Sequence, residues 1–222
     1  AMGYRIHLLA GVGFDSNVYL IEDEKITLID AGTGRLHDAL MENMHERGVD
    51  PEDIELLINT HCHYDHTGGD HKLSEATGCR VLIHELEQRV LEEGDNVLSC
   101  AVLFGERLQP VRVHRALREN DLIELGALAL RVLHTPGHTA GSICLHDPDR
   151  GVLFTGDTVF TDGVGRTDLP TGSANELVAS LKRLNQLKVR ELYPGHGPPN
   201  DRDPRRSLRS ALDFLLTLHT IE

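Results

Sequence analysis

A chain of 222 residues that is 40% hydrophobic and 26% charged suits one large α/β domain and excludes a disordered or fibrous protein. Its 22 basic and 35 acidic residues give a net charge of −13, which repels phosphate backbones and argues against DNA, RNA or an anionic membrane surface as partners. No apolar run approaches the roughly eighteen residues of a membrane span, and no basic-then-apolar leader opens the chain, so a cytoplasmic setting is expected.

Ala1-Met2 reads as an expression remnant. Ser16–Glu22 and Lys25–Asp30 read as two strands joined by the polar turn Glu22-Asp23-Glu24. The second of these holds the apolar run Ile26 to Ile29, rich in β-branched side chains, as a buried strand should be. Asp30-Ala31-Gly32-Thr33-Gly34 then turns the chain into a helix with Leu36, Ala39, Leu40 and Met44 at helical spacing and Gly48 as its stop. A short strand from Ile54 to Asn59 runs into Thr60-His61-Cys62-His63-Tyr64-Asp65-His66. Leu86–Glu93 reads as helical, and Val97–Leu108 as a lid or a dimer contact.

The strand-like Ala129–Leu133 precedes Thr135-Pro136-Gly137-His138-Thr139, and the plan of the first half then recurs. Ser142–Leu145, the turn Asp147-Pro148-Asp149 and Val152–Phe154 form a second strand pair, which ends at Gly156-Asp157 much as the first ends at Asp30. Ser173 and Glu176 make a capping box for a helix carrying Leu177, Leu181 and Leu184 on one face. A strand at Glu191–Tyr193 leads into Pro194-Gly195-His196, and a last helix runs from about Arg205 to His219. No linker divides residues 1–222, so the repeated plan predicts one domain of two sheets packed face to face, helices outside and active groups along one edge.

Within that plan the stretch from His61 to His66 is the richest. Alternation in an extended segment puts His61 and His63 on the same side, and Gly68-Gly69 permits a sharp turn just after Asp65 and His66. Four ligand-type side chains in six residues after a buried strand match the ligand packing of a catalytic zinc site. His138, Asp157 and His196 stand in the same context, each in a Gly or Pro turn after an apolar strand. His7, His37, His45, His71, His84, His114, His146 and His219 read as surface or hydrogen-bonded histidines, and His134 as a support for the His138 turn. The four cysteines show no CxxC pair and read as reduced thiols, with Cys62 facing away from the ligands on either side of it.

His61-x-His63-x-Asp65-His66 followed by His138, Asp157 and His196, with Asp30 at a strand end, resembles the five-motif signature of the metallo-β-lactamase superfamily over about residues 16 to 197. Gly163-Val164-Gly165-Arg166-Thr167-Asp168 is similar to a loop of glyoxalase II-like hydrolases and persulfide dioxygenases. The resemblance implies an αββα four-layer sandwich with pseudo-duplicated halves. It assigns His61, His63 and His138 to one metal ion and Asp65, His66 and His196 to a second, with Asp157 bridging and Asp30 bracing the ligand loop. The implied cofactor is a pair of divalent ions, zinc in the first instance and iron or manganese otherwise. The implied reaction is attack on the carbonyl of a small thioester or ester by a hydroxide shared between the ions, with His63 and Asp65 at the catalytic centre.

A glyoxalase II-like hydroxyacylglutathione hydrolase heads the expected functions, with a glutathione- or other thiol-derived small molecule as substrate. The alternative is a persulfide dioxygenase holding one iron through His61, His138 and Asp157, and a lactonase or nuclease member of the fold comes after it. Arg166 is expected on the substrate side or in a structural ion pair, and Arg205, Arg206 and Arg209 either at an anionic substrate or on a solvated face. Phe104, Leu108 and Phe160 are read as pocket walls or core, and homo-oligomerisation stays open.

Overall fold

Alternation of apolar side chains along short strands is what builds the two sheets in the computed structural model, which describes residues 3–219. Ala1 and Met2 and the side chain of His219 lie outside the described residues. The first sheet takes β1 (Arg5–Ala10), β2 (Val18–Glu22) and β3 (Ile26–Ile29) as an antiparallel run. Helix α1 (His37–Glu46) crosses over so that β4 (Ile54–Ile58) pairs parallel to β3. Two short helices, α2 (Tyr64–Thr67) and α3 (Asp70–Thr77), precede β5 (Arg80–His84). After α4 (Gln88–Glu93), β6 (Arg115–Leu117) closes the sheet, with β4, β5 and β6 all parallel.

The second sheet repeats that connectivity. β7 (Leu122–Glu124), β8 (Ala129–His134), β9 (Ile143–Asp147) and β10 (Val152–Gly156) are antiparallel neighbours in order. The hairpin β11 (Val159–Phe160) and β12 (Gly163–Val164) leads to α5 (Ala174–Leu184), and β13 (Glu191–Pro194) then pairs parallel to β10. Helix α6 (Pro204–His219) ends the fold. Antiparallel pair, crossover, parallel strand thus occurs twice, as the repeated sequence plan predicts.

Tyr19, Ile21, Ile29, Leu56, Ile58 and Leu82 of the first sheet meet Leu130, Val132, Ile143, Leu145 and Phe154 of the second in one core. Their alternates Val18, Leu20, Leu57, Val81 and Ile83 face outward to pack with Leu40, Met44, Leu73 and Leu91 of the helices. On the far side Leu133, Cys144 and Leu153 pack with Leu177, Leu181, Leu184 and Leu208. Helix, sheet, sheet, helix is therefore the layer order, the αββα sandwich expected. Among the described residues no helix is long and apolar enough to cross a membrane.

The sequence reading omitted several elements. β1 is a half-exposed edge strand without clean alternation, and β6 and β7 are three residues each. Gly68 and Gly69 also act differently from the sharp turn expected of them. Both continue in helical geometry. A Cβ on Gly68 would stand 2.6 Å from the Thr33 carbonyl oxygen, and one on Gly69 would strike that of Ala31, so these glycines permit close packing on the Asp30 turn.

Candidate metal centre

Every ligand-type residue of the expected set lies just beyond a strand end, from both sheets, on one edge of the sandwich. Residues 59–63 carry His61 and His63 out of β4, and α2 turns Asp65 and His66 back toward them. His138 follows β8, Asp157 directly follows β10, and His196 follows β13. They gather into two groups, His61 with His63 and His138, and Asp65 with His66, Asp157 and His196. Within each group the ligand atoms all lie within 4.8 Å of one another. Asp157 reaches both groups. Its Oδ1 is 3.1 Å from Nε2 of His66, and its Oδ2 is 3.6 Å from Nε2 of His138.

Hydrogen bonds behind the rings fix which nitrogen faces inward. The Nδ1–H of His66 donates to Asp30 Oδ2 at 2.8 Å, and that of His138 donates to the Arg166 carbonyl at 2.7 Å. Thr60 donates its hydroxyl to Asp30 Oδ2 at 2.8 Å, so its oxygen is left to accept from Nδ1–H of His61 at 3.1 Å. Such partners set the tautomer of a metal-binding histidine and leave Nε2 for the ion. Among the described residues, Nε2 of His61 is buried without a hydrogen-bond partner, a costly state that a bound cation relieves, and Nδ1 of His63 faces Nε2 of His138 at 3.0 Å in the same group. The donor set of imidazoles and carboxylates suits zinc or iron, so the residues present fit a pair of divalent ions. Gly195 keeps the groups close, because a Cβ there would collide with Asp157 Oδ1 and stand 2.8 Å from Cε1 of His66.

The two groups differ in charge. Burial, helped by neighbouring imidazoles, pushes His61 well below its ordinary pKa, and burial with His138 pushes His63 down to about 3, so both are neutral. In the other group, burial disfavours a charged His66, but Asp157, Asp65 and Asp30 outweigh it and hold the ring well above its ordinary pKa. Burial is likewise outweighed at His196, where hydrogen bonds to Asp157 and Asp65 raise it to about 9. Burial would raise both carboxyls, yet the His66 charge and the His196 hydrogen bond hold Asp65 low and Asp157 well below the usual range.

A cavity of about 480 Å³ opens onto His63, Asp65, His138 and Asp157, walled by Phe14, Arg35, Cys100, Leu103, Phe104, Arg166 and Leu169. A larger hollow of about 620 Å³ between the β11–β12 hairpin and α6 contains none of the ligand-type residues, so chemistry places the site in the smaller one. Arg166 lines the cavity and forms the expected ion pair, with Asp168 at 2.6 Å. Arg205, Arg206 and Arg209 lie on α6 and line other hollows, so the cavity takes its cations from Arg35 and Arg166 instead.

Of the expected walls, Phe104 lines the cavity, Phe160 packs edge-on to His196 at 5.9 Å, and Leu108 is core. Val97–Leu108 supplies one cavity wall through Cys100, Leu103 and Phe104. Cys62 donates to the Leu98 carbonyl at 3.5 Å and stands outside both ligand groups, and all four cysteines are buried. His134 braces the His138 loop by a 2.7 Å bond to the Ala140 carbonyl and stacks on His84. Sequence reasoning missed Thr60 and Arg35. The only signal for either was adjacency, Thr60 to the His61 run and Arg35 to the Asp30 turn.

Known proteins share this fold. The family model described as Metallo-beta-lactamase superfamily matches residues 11–196. A probable metallo-hydrolase of Methanocaldococcus jannaschii, MJ0888, is 42% identical over 198 residues, covering 87% of this chain and 93% of its own. The acyl-coenzyme A thioesterase MBLAC2 of Homo sapiens is 33% identical over 213 residues, covering 83% and 74%. Among solved structures, TTHA1623 in a di-iron-bound form superposes with a TM-score of 0.75 at 32% identity, covering 92% of this chain and 96% of that one. The B3 metallo-beta-lactamase BLEG-1 gives a TM-score of 0.79 at 25% identity, covering 96% and 99%. The chain belongs to the metallo-beta-lactamase superfamily.

Proposed function

We propose that this protein is a dinuclear metal-dependent hydrolase of small acyl thioesters. The observation that carries the reading is the make-up of the cavity. Among the described residues, the titratable walls beyond the ligand groups are Arg35, Arg166 and Cys100. Arginine stays protonated and burial raises the Cys100 thiol, so neither is a nucleophile near neutral pH, and of the described residues outside the ligand groups no imidazole or carboxyl lines the cavity to protonate a leaving group. A thiol with a pKa of about 8.5 departs as thiolate without such help, whereas an alkoxide or an amine does not. Likeness to an acyl-coenzyme A thioesterase at 33% identity supports the same class.

His61, His63 and His138 would hold one ion, and Asp65, His66 and His196 the other, with Asp157 between them. Bound there, the ions supply Lewis acidity and lower the pKa of a shared water to about 7. Asp65, beside His63 on the cavity wall, would accept a hydrogen bond from the attacking water through its carboxylate and orient it. Arg166 and Arg35 offer positive charge to an anionic thiol carrier. Zinc fits the donors, and the di-iron form of TTHA1623 keeps iron in view. A metal-loaded preparation assayed against acyl thioesters, esters and lactones tests the reading. Thioesters should be cleaved fastest, and Asp65→Ala should lower that rate by at least about a hundredfold while leaving the fold intact. Preference for esters or lactones would refute the bond assignment.

A further inference from the structure

The cavity mouth exposes apolar surface on two separate segments. Phe14 is 81% exposed and Leu103 65%, and both line the cavity, with Val12 and Val102 also exposed beside them. Neither segment is a loose tail. Ser16 donates its N–H to the Asp65 carbonyl at 3.1 Å, and Asp15 accepts from the Thr33 N–H at 2.6 Å, so the loop holding Phe14 is tied to the ligand helix and to the Asp30 turn. On the other side Tyr64 donates its N–H to the Ser99 carbonyl at 2.7 Å, and the Tyr64 ring packs against Phe104 at 5.4 Å. Buried Cys100 and Ala101 anchor a short 3₁₀ turn, Ala101–Phe104, that leaves Leu103 facing outward.

Held apolar side chains at the mouth of a polar site mark a ligand surface. They continue through Phe104 and Leu169 to the reacting centre at His63, Asp65, His138 and Asp157. On the thioester reading, which this inference deepens, a substrate has two halves. Biological thiol carriers are polar and anionic and belong with Arg35 and Arg166, so the half that suits the apolar wall is the acyl chain. We propose that the Phe14 and Leu103 walls select thioesters with extended alkyl chains, and that these two residues determine chain-length specificity. Each methylene taken from water against this wall should raise affinity by up to about fourfold.

The test compares acetyl and decanoyl thioesters of one small thiol with the zinc-loaded protein and its Phe14→Ala and Leu103→Ala variants, with metal content and thermal unfolding checked for each. The wild type should favour decanoyl over acetyl in kcat/KM by about a hundredfold, and each variant should lower that ratio by about tenfold. Hydrolysis of both substrates with a ratio near one, or a ratio that neither variant moves, overturns the proposal while the thioester reading stands. If no thioester is cleaved, that reading fails, and direct binding of decanoate against acetate decides the present one. Tighter decanoate binding that both variants weaken supports the acyl wall, and equal binding overturns it. A ratio unmoved by variants that convert a dimer to a monomer would assign the wall to a second copy and also overturn it.

Discussion

At Asp30 the backbone lies in the left-handed region with φ 60°, a conformation that costs a non-glycine residue on the order of 1–2 kcal/mol. The cost is offset by a buried carboxylate that accepts from the Thr60 N–H and the Thr60 hydroxyl, both at 2.8 Å, and from His66 Nδ1. One side chain therefore sets the orientation of His66 directly and of His61 through Thr60. Asn tolerates the left-handed region, so Asp30→Asn tests the carboxylate without changing the backbone preference. It should weaken metal affinity by about 10- to 100-fold in a competition titration with a chelating dye. Unchanged affinity would make Asp30 a turn residue only. Asp30 itself was legible in the sequence because it ends an apolar strand in a Gly-rich turn. Thr60 was not, since a threonine beside a histidine has no pattern of its own and acquires its role when β3 and β4 pair.

The strands show why some elements are legible and others are not. β3, β4, β9 and β10 are buried on both faces, so composition alone announces them. Helix α5 announces itself by its cap, where Ser173 accepts from the Glu176 N–H at 3.3 Å. β5 carries the same signature as those strands, with Leu82 on one face and Val81 and Ile83 on the other, although the sequence reading passed over it; by contrast the 3₁₀ turn Ala101–Phe104 depends on Cys100 and Gly105 at φ 60° and 67°. Cavity walls built on such a turn carry no periodicity to read. The inter-sheet core is where the legible strands meet. Phe154 is fully buried there, stacked on Tyr193 at 5.0 Å and edge-on to Tyr19 at 5.6 Å. Phe154→Ala should lower unfolding free energy by about 3–5 kcal/mol in urea denaturation. A loss below about 1 kcal/mol would mean that the sheets repack without it.

Across the whole molecule, two halves with the same connectivity each bring a strand-end aspartate and a strand-end histidine to one edge, Asp30 and His61 from one, Asp157 and His196 from the other. Along that edge protonated His66 and His196 pair with Asp157 and Asp65. Because His196 rises from 6.5 to about 9 on folding, its contribution to stability is complete below about pH 6.5 and is lost as pH rises through about 9. The depressed Asp65 and Asp157 act oppositely, stabilising above their ordinary pKa of 3.8 and failing in acid. A divalent ion in this group displaces the imidazole protons. Calorimetry of metal uptake at pH 7 in buffers of different ionisation enthalpy should therefore show release of about two protons for the ion bound there. Release of none would contradict the charge assignment.

Titration of metal-free protein with zinc, following thioester hydrolysis against bound metal per chain, tests the dinuclear hydrolase most directly. Hydrolysis should be absent without metal and should reach its plateau at about two ions per chain. A plateau at one ion, hydrolysis by the metal-free protein, or oxygen uptake with a persulfide by a protein carrying a single iron would contradict it.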